Sequence, residues 1–186
     1  MENNNDAKWH PHKLDVKAFS RDGATLSGQA PLAQWERLAA ESEVGLVPPP
    51  LQWQARGEAV PEVGAQDQIW LHLEVHAALP LLCQRCLSPV LIPVDVDRSF
   101  RFVADEATAM ALDDEEEEDL LVVSREFNVI ELVEDEVILA MPLVPLHGTC
   151  PEPLQMSAQT PQFDQEEEKR PHPFAALAGL KLKKSD

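Results

Sequence analysis

Residues 68–79 read QIWLHLEVHAAL, with Ile69, Leu71, Leu73, Val75 and Ala77 at every second place and Trp70, His72, Glu74 and His76 between them. A period of two belongs to a β-strand, whose alternate side chains leave opposite faces, so one face here is core and the other is wet. Residues 90–105, VLIPVDVDRSFRFVAD, repeat the pattern: Val90, Ile92, Val94 and Val96 alternate against Asp95 and Asp97, and Phe100 and Phe102 follow. The intervening LCQRCLSP is short enough to join the two as antiparallel neighbours and leaves its cysteines at a sheet end. Pro93 has no N–H for a ladder, which places the second strand at an edge or a bulge. His72 and His76 fall on the outer face and receive no role.

Working outward, LQWQARG (51–57) alternates through Leu51, Trp53 and Ala55, and LLVV (120–123) returns to strand. PLAQWERLAAESE (31–43) sets Leu32, Trp35 and Leu38 at helical spacing behind Pro31, and Gly45 with Pro48-Pro49-Pro50 breaks the chain after it. NVIELVEDEVILAMP (128–142) is the strongest helix. Asn128 and Glu131 fit a capping box, Ile130, Val133, Val137 and Met141 form a stripe, and Pro142 ends the run. Leu132, Ile138, Leu139 and Ala140 widen that stripe, so burial on more than one side is expected of its C-terminal half. Glu131, Glu134, Asp135 and Glu136 crowd the first turns, where the positive end of the helix dipole stabilises them.

These elements predict an α+β fold: an antiparallel twisted sheet or partly open β-barrel with two packed helices. The strands are expected at about 14–29, 51–57, 68–79, 90–104 and 120–127, and the helices at 31–43 and 129–141. Residues 1–13 read as a flexible N-terminus, 14–150 as a single domain with a mobile acidic loop at 105–119, and 151–186 as a Pro/Gln/Glu-rich linker with an amphipathic basic end.

The chain has 186 residues, 44% of them hydrophobic, yet no apolar run reaches the roughly 18 residues a membrane helix needs. The polar N-terminus lacks the features of a secretory signal, which assigns the chain to the cytoplasm. Three cysteines, an odd number, argue against a disulfide framework. Charge is uneven: residues 105–186 carry 6 Lys/Arg against 20 Asp/Glu, within a total net charge of −18. Tight phosphate binding needs a basic surface that displaces counterions, so this balance favours a basic protein partner over bare nucleic acid.

Two segments are candidates for partner binding. Asp113, Asp114, Glu115, Glu116, Glu117, Glu118 and Asp119 form one anionic block, read either as solvated loop or as a dock for a cation-rich partner. At the end of the chain Phe174 and Leu177 lie at helical spacing ahead of Lys181, Lys183 and Lys184, read either as a helix packed on the core or as a docking peptide.

Cys83-Gln84-Arg85-Cys86 holds two thiols at metal-ligand spacing, and His147-x2-Cys150 offers two further donors for a Cys3His zinc set of Cys83, Cys86, His147 and Cys150. The alternative is that the thiols are small buried apolar groups at a sheet end. A redox pair would want a helix directly after the motif, whereas the sequence predicts a strand. No phosphate-binding glycine loop, GxSxG turn or HExxH helix occurs.

Three blocks, CQRCLSPV, ELVEDEVILAMPLVPLHGTC and RPHPFAALAGLKLKK, in this order and spacing, together resemble the YceD-type large ribosomal RNA subunit accumulation proteins of bacteria, which have relatives in plastids. With the strands between them they span most of residues 15–184. The resemblance implies a cytoplasmic α+β protein that supports synthesis, processing or stability of the large-subunit (23S) ribosomal RNA, without an established catalytic activity, and so a non-enzymatic factor. It also implies, by gene neighbourhood, a basic large-subunit ribosomal protein or a pre-ribosomal particle as partner. Some relatives are richer in cysteine around the positions of His147 and Cys150, which suits a four-thiolate site; here His147 stands in one such place. Two other readings remain. One is a direct RNA-binding module using Lys181, Lys183 and Lys184 with Arg85, Arg98 and Arg101. The other is a Mg²⁺-dependent RNA-processing enzyme built on the acidic residues.

Overall fold

The computed structural model describes residues 8–42, 45–112 and 118–151. Five strands form one open, mixed sheet in the order β1-β2-β3-β4-β5: β1 (Thr25–Ala30), β2 (Leu51–Val60), β3 (Gln68–Leu82), β4 (Pro89–Val103) and β5 (Asp119–Val122). The first four run antiparallel as a meander, and β3 meets β4 over its full length, from Ile69↔Phe102 to Leu82↔Pro89. Leu71, Leu73, Val75, Val94, Val96 and Phe100 are buried on the face the alternation assigned to the core. The fold class is α+β, as the sequence predicted.

The last strand departs from that expectation. β5 pairs parallel to β4, Phe100↔Asp119 through Val103↔Val122. A parallel return needs a crossover, and part of it is a helix, α3 (Glu106–Leu112), at a place expected to be loop. Asp105 caps this turn by accepting from the Thr108 N–H and hydroxyl, both at 2.8 Å, and EATAMAL is made largely of helix formers. The acidic block after it masked that local signal.

The segment expected as a first strand at 14–29 is a helix followed by a strand. Asp15 accepts from the Ala18 N–H at 3.0 Å and starts α1 (Val16–Arg21), which buries Val16 and Phe19. Strand structure begins only at Thr25. α1 lies so close to β2 that a Cβ on Gly57 would come within 2.7 Å of both the Phe19 ring and the Ser20 Cα. The helix expected at 31–43 is likewise divided, into a 3-10 turn at Leu32–Gln34 and α2 (Glu36–Ala40). Trp35 between them takes an extended backbone, φ −103° and ψ 93°, and its ring is buried.

The strongest predicted helix is α4 (Val129–Ala140). Asn128 caps it, its side-chain oxygen accepting from the N–H groups of Ile130 (3.1 Å) and Glu131 (3.4 Å). Val129, Val133 and Val137 are fully buried. The expected second buried side is absent among the described residues, because Leu139 is 76% exposed. Glu134 does not stay on its own helix's first turn. Its Oε1 accepts from the backbone N–H groups of Arg37 (2.7 Å) and Leu38 (3.1 Å), so α4 caps α2 from outside.

β3 and β4 continue past their other partners, since β2 reaches only His76 and β5 only residues 100–103. Pro80, Pro89 and Pro93 therefore sit on a two-stranded arm where no third described strand needs an N–H, which fits the expectation for Pro93. The Cys83–Cys86 turn is the tip of this arm. No described helix is long and apolar enough to cross a membrane. The chain divides into two compact units, Met1–Thr149 and Cys150–Asp186; of the second, Cys150 and Pro151 are described.

Candidate metal centre

The tip of the β3–β4 arm is built by short-range hydrogen bonds. Cys83 N–H donates to the Ser88 carbonyl (3.0 Å) and Leu87 N–H to the Cys83 carbonyl (2.9 Å), and Leu87 closes the turn in the left-handed region at φ 57°. Residues after α4 then run along this tip. Gln84 N–H donates to the Pro145 carbonyl (2.9 Å), the Arg85 guanidinium donates to the His147 carbonyl (2.7 Å), and Pro145 is buried.

His147 is placed by both its backbone and its ring. Its N–H donates to Cys83 Sγ at 3.4 Å, its Nδ1 lies 3.3 Å from Cys86 Sγ, and its Nε2 lies 3.1 Å from the Pro89 carbonyl oxygen. A carbonyl can only accept, so Nε2 carries the proton and Nδ1 turns a lone pair toward the sulfurs. That is the second-contact orientation usual for a metal-ligating histidine. Cys150 follows three residues on. One donor atom from each of Cys83, Cys86, His147 and Cys150 lies within 4.8 Å of the other three, and this is the one such group among the described residues.

None of the three cysteines is in a disulfide, and Cys83 is fully buried. Burial pushes its thiol up, but hydrogen bonds led by the backbone N–H groups of His147, Cys86 and Arg85 outweigh this and bring it down to about 5. The sulfur is thus a thiolate near neutral pH, the form that binds metal. For metal–sulfur bonds of about 2.3 Å the edge of a tetrahedron is roughly 3.8 Å, so the observed spread needs only a small contraction around an ion. The donor set and the geometry both suit a tetrahedral, thiolate-preferring cation.

The other predicted positions are less gathered. Glu118 and Asp119 are exposed, and Asp119 is paired with Arg98; Asp113 to Glu117, and Phe174, Leu177, Lys181, Lys183 and Lys184, lie outside the described residues. Arg85 and Arg98, offered by sequence as RNA contacts, are engaged with the His147 carbonyl and Asp119. On the outer sheet face His72 bridges Ser99 (2.8 Å) and Glu58 (2.9 Å), and His76 meets Asp95 (2.7 Å). These are cross-strand polar pairs. Sequence reading missed the Pro89 carbonyl as the group that orients His147, and nothing in the spacing signals it.

A family model described as "Large ribosomal RNA subunit accumulation protein YceD" matches residues 71–181, a stretch that holds the whole cysteine and histidine cluster. The chain belongs to the YceD family. A YceD protein of Haemophilus influenzae, described as a large ribosomal RNA subunit accumulation protein, is 36% identical over 124 residues, covering 65% of this chain and 70% of that one. No solved structure matches this chain. The match to the YceD model begins inside β3, so the arm, β4, β5 and α4 fall within the family's shared region, whereas α1 to β2 lie before it.

Proposed function

We propose that this chain is a non-enzymatic assembly factor, acting in the cytoplasm, that supports accumulation of the large-subunit ribosomal RNA by holding a basic ribosomal protein or a pre-ribosomal particle. Membership of the YceD family carries the reading, because the family is described by this effect. The net charge of −18 supports contact through cationic protein rather than through bare phosphate. The engagement of Arg85 and Arg98 by groups of this chain supports it as well. The test is depletion in cells, with large-subunit RNA and particles resolved on sucrose gradients: a selective fall in the large subunit is expected, and unchanged large-subunit RNA refutes the reading.

Zinc is proposed as the structural ion of the cluster, held by Cys83, Cys86, His147 and Cys150. Such an ion clips the tip of the β3–β4 arm to the segment after α4 and closes a loop of more than 60 residues. Metal analysis of the purified, reduced chain should find one zinc per molecule, and the Cys83→Ser chain should lose it. Metal-free wild type with the same thermal stability as metal-loaded protein ends this part of the reading.

A further inference from the structure

α4 has more apolar surface than its packing uses. Val133 and Val137 fill the core, but Leu139 stays 76% exposed and Leu132 and Ile138 are only half-covered. These three, with Leu120 and Leu121 of β5, line a cavity of about 500 Å³ between α4 and the β5 edge of the sheet. Charged side chains rim it, and most are already matched: Arg37 is held by Asp135, and Arg98 by Asp119.

Glu136 differs. It lines the same cavity and is only 8% exposed, yet it has no hydrogen bond or ion pair with any described residue. Burial raises its pKa, against the pull of Arg98. Its carboxylate oxygens keep some contact with water, but the groove walls cover the residue and disfavour its charge, a cost that a cation bound beside it would offset. The cavity offers what such a carboxylate lacks, which is room for a visiting cation. Glu118 stands at the rim with Asp119 and Asp135, so with Glu136 the acids lining the groove outnumber its arginines, Arg37 and Arg98.

We propose that this groove receives a cationic amphipathic segment of a partner protein, with apolar side chains against Leu132, Ile138 and Leu139 and one Lys or Arg paired with Glu136. The inference rests on the reading that the chain works through a basic protein, and it names the surface and the chemistry of the contact. Apolar anchors around a desolvated ion pair supply affinity, and the anionic rim supplies rate and selectivity. RNA is the disfavoured occupant, since its phosphates would meet Glu118 and Glu136.

The test uses the full chain and three fluorescent probes: a peptide with Leu and Lys at helical amphipathic spacing, a polylysine of equal charge, and a single-stranded RNA. Saturable binding of the amphipathic peptide is expected, weakened roughly tenfold or more by Glu136→Gln and by the surface change Leu139→Ser. Glu136→Gln should at the same time keep or raise the melting temperature, because it removes a buried charge; a merely structural acid would show the opposite. Equal binding by wild type and Glu136→Gln, equal affinity for polylysine, or tighter binding of RNA each overturns the proposal. Tighter peptide binding by a full chain carrying Lys181→Glu, Lys183→Glu and Lys184→Glu would make the chain's own end the occupant, and also overturns it. Peptide binding is read in vitro and large-subunit RNA in cells. A failed groove beside an intact RNA effect therefore removes the groove alone, and the reverse result removes the assembly reading alone.

Discussion

Replacing Glu134 tests whether α2 is held by a cap supplied from another helix. Trp35, the residue before α2, provides no side-chain cap, and the helix has only five residues, so it lacks the length to persist unaided. One carboxylate oxygen of Glu134 accepts the Arg37 N–H at 2.7 Å and the Leu38 N–H at 3.1 Å, and the residue is 8% exposed. Glu134→Ala leaves two donors of a helix N-terminus without an acceptor in a place water barely reaches. A lost cap costs about 0.5–2 kcal/mol and a stranded buried donor about 1–3, so we predict a loss of roughly 2–4 kcal/mol for the pair. Glu134→Gln keeps an amide oxygen in reach and gives up only the charge, and should cost about 1 kcal/mol or less. Urea unfolding of the three chains measures both, and an unchanged dependence on denaturant shows that the difference lies in the native state. If Ala costs no more than Gln, the cap contributes nothing to stability and the account of α2 is wrong.

Three further outcomes follow from other contacts. Gly57→Ala should destabilise by roughly 1–3 kcal/mol in thermal or urea unfolding, because its Cβ would stand 2.7 Å from the Ser20 backbone of α1, which cannot swing away as a side-chain end could. Asn128→Ala should cost about 1 kcal/mol by removing the oxygen that accepts the Ile130 and Glu131 N–H groups. In reduced, metal-free protein the folded Cys83 thiol loses its proton near 5, whereas the unfolded one keeps it up to about 9. The unfolded state therefore binds more protons across that window, so stability should rise with pH from about 5 to 9 and be lost as pH falls, and Cys83→Ser should flatten the slope in unfolding measured at successive pH values.

What the sequence by itself determined is local. The period-two runs around Leu73 and Val94 settled β3, β4 and their antiparallel pairing, the Asn128 cap with its valine stripe settled α4, and the spacing of Cys83, Cys86, His147 and Cys150 marked the donors. Each of these signals is written in residues a few places apart, where backbone geometry alone makes neighbours of them. The parallel direction of β5 was not legible, because strand direction follows from where the crossover travels and not from which residues alternate. Only the tertiary structure decided that His147 reaches Cys83 across 64 positions, that Glu134 caps a helix 97 positions earlier, and that Glu136 is left buried with no described partner. Such contacts are set by how packed elements meet in space. A side chain's periodicity says which face it occupies, and the packing of the whole domain says what waits there.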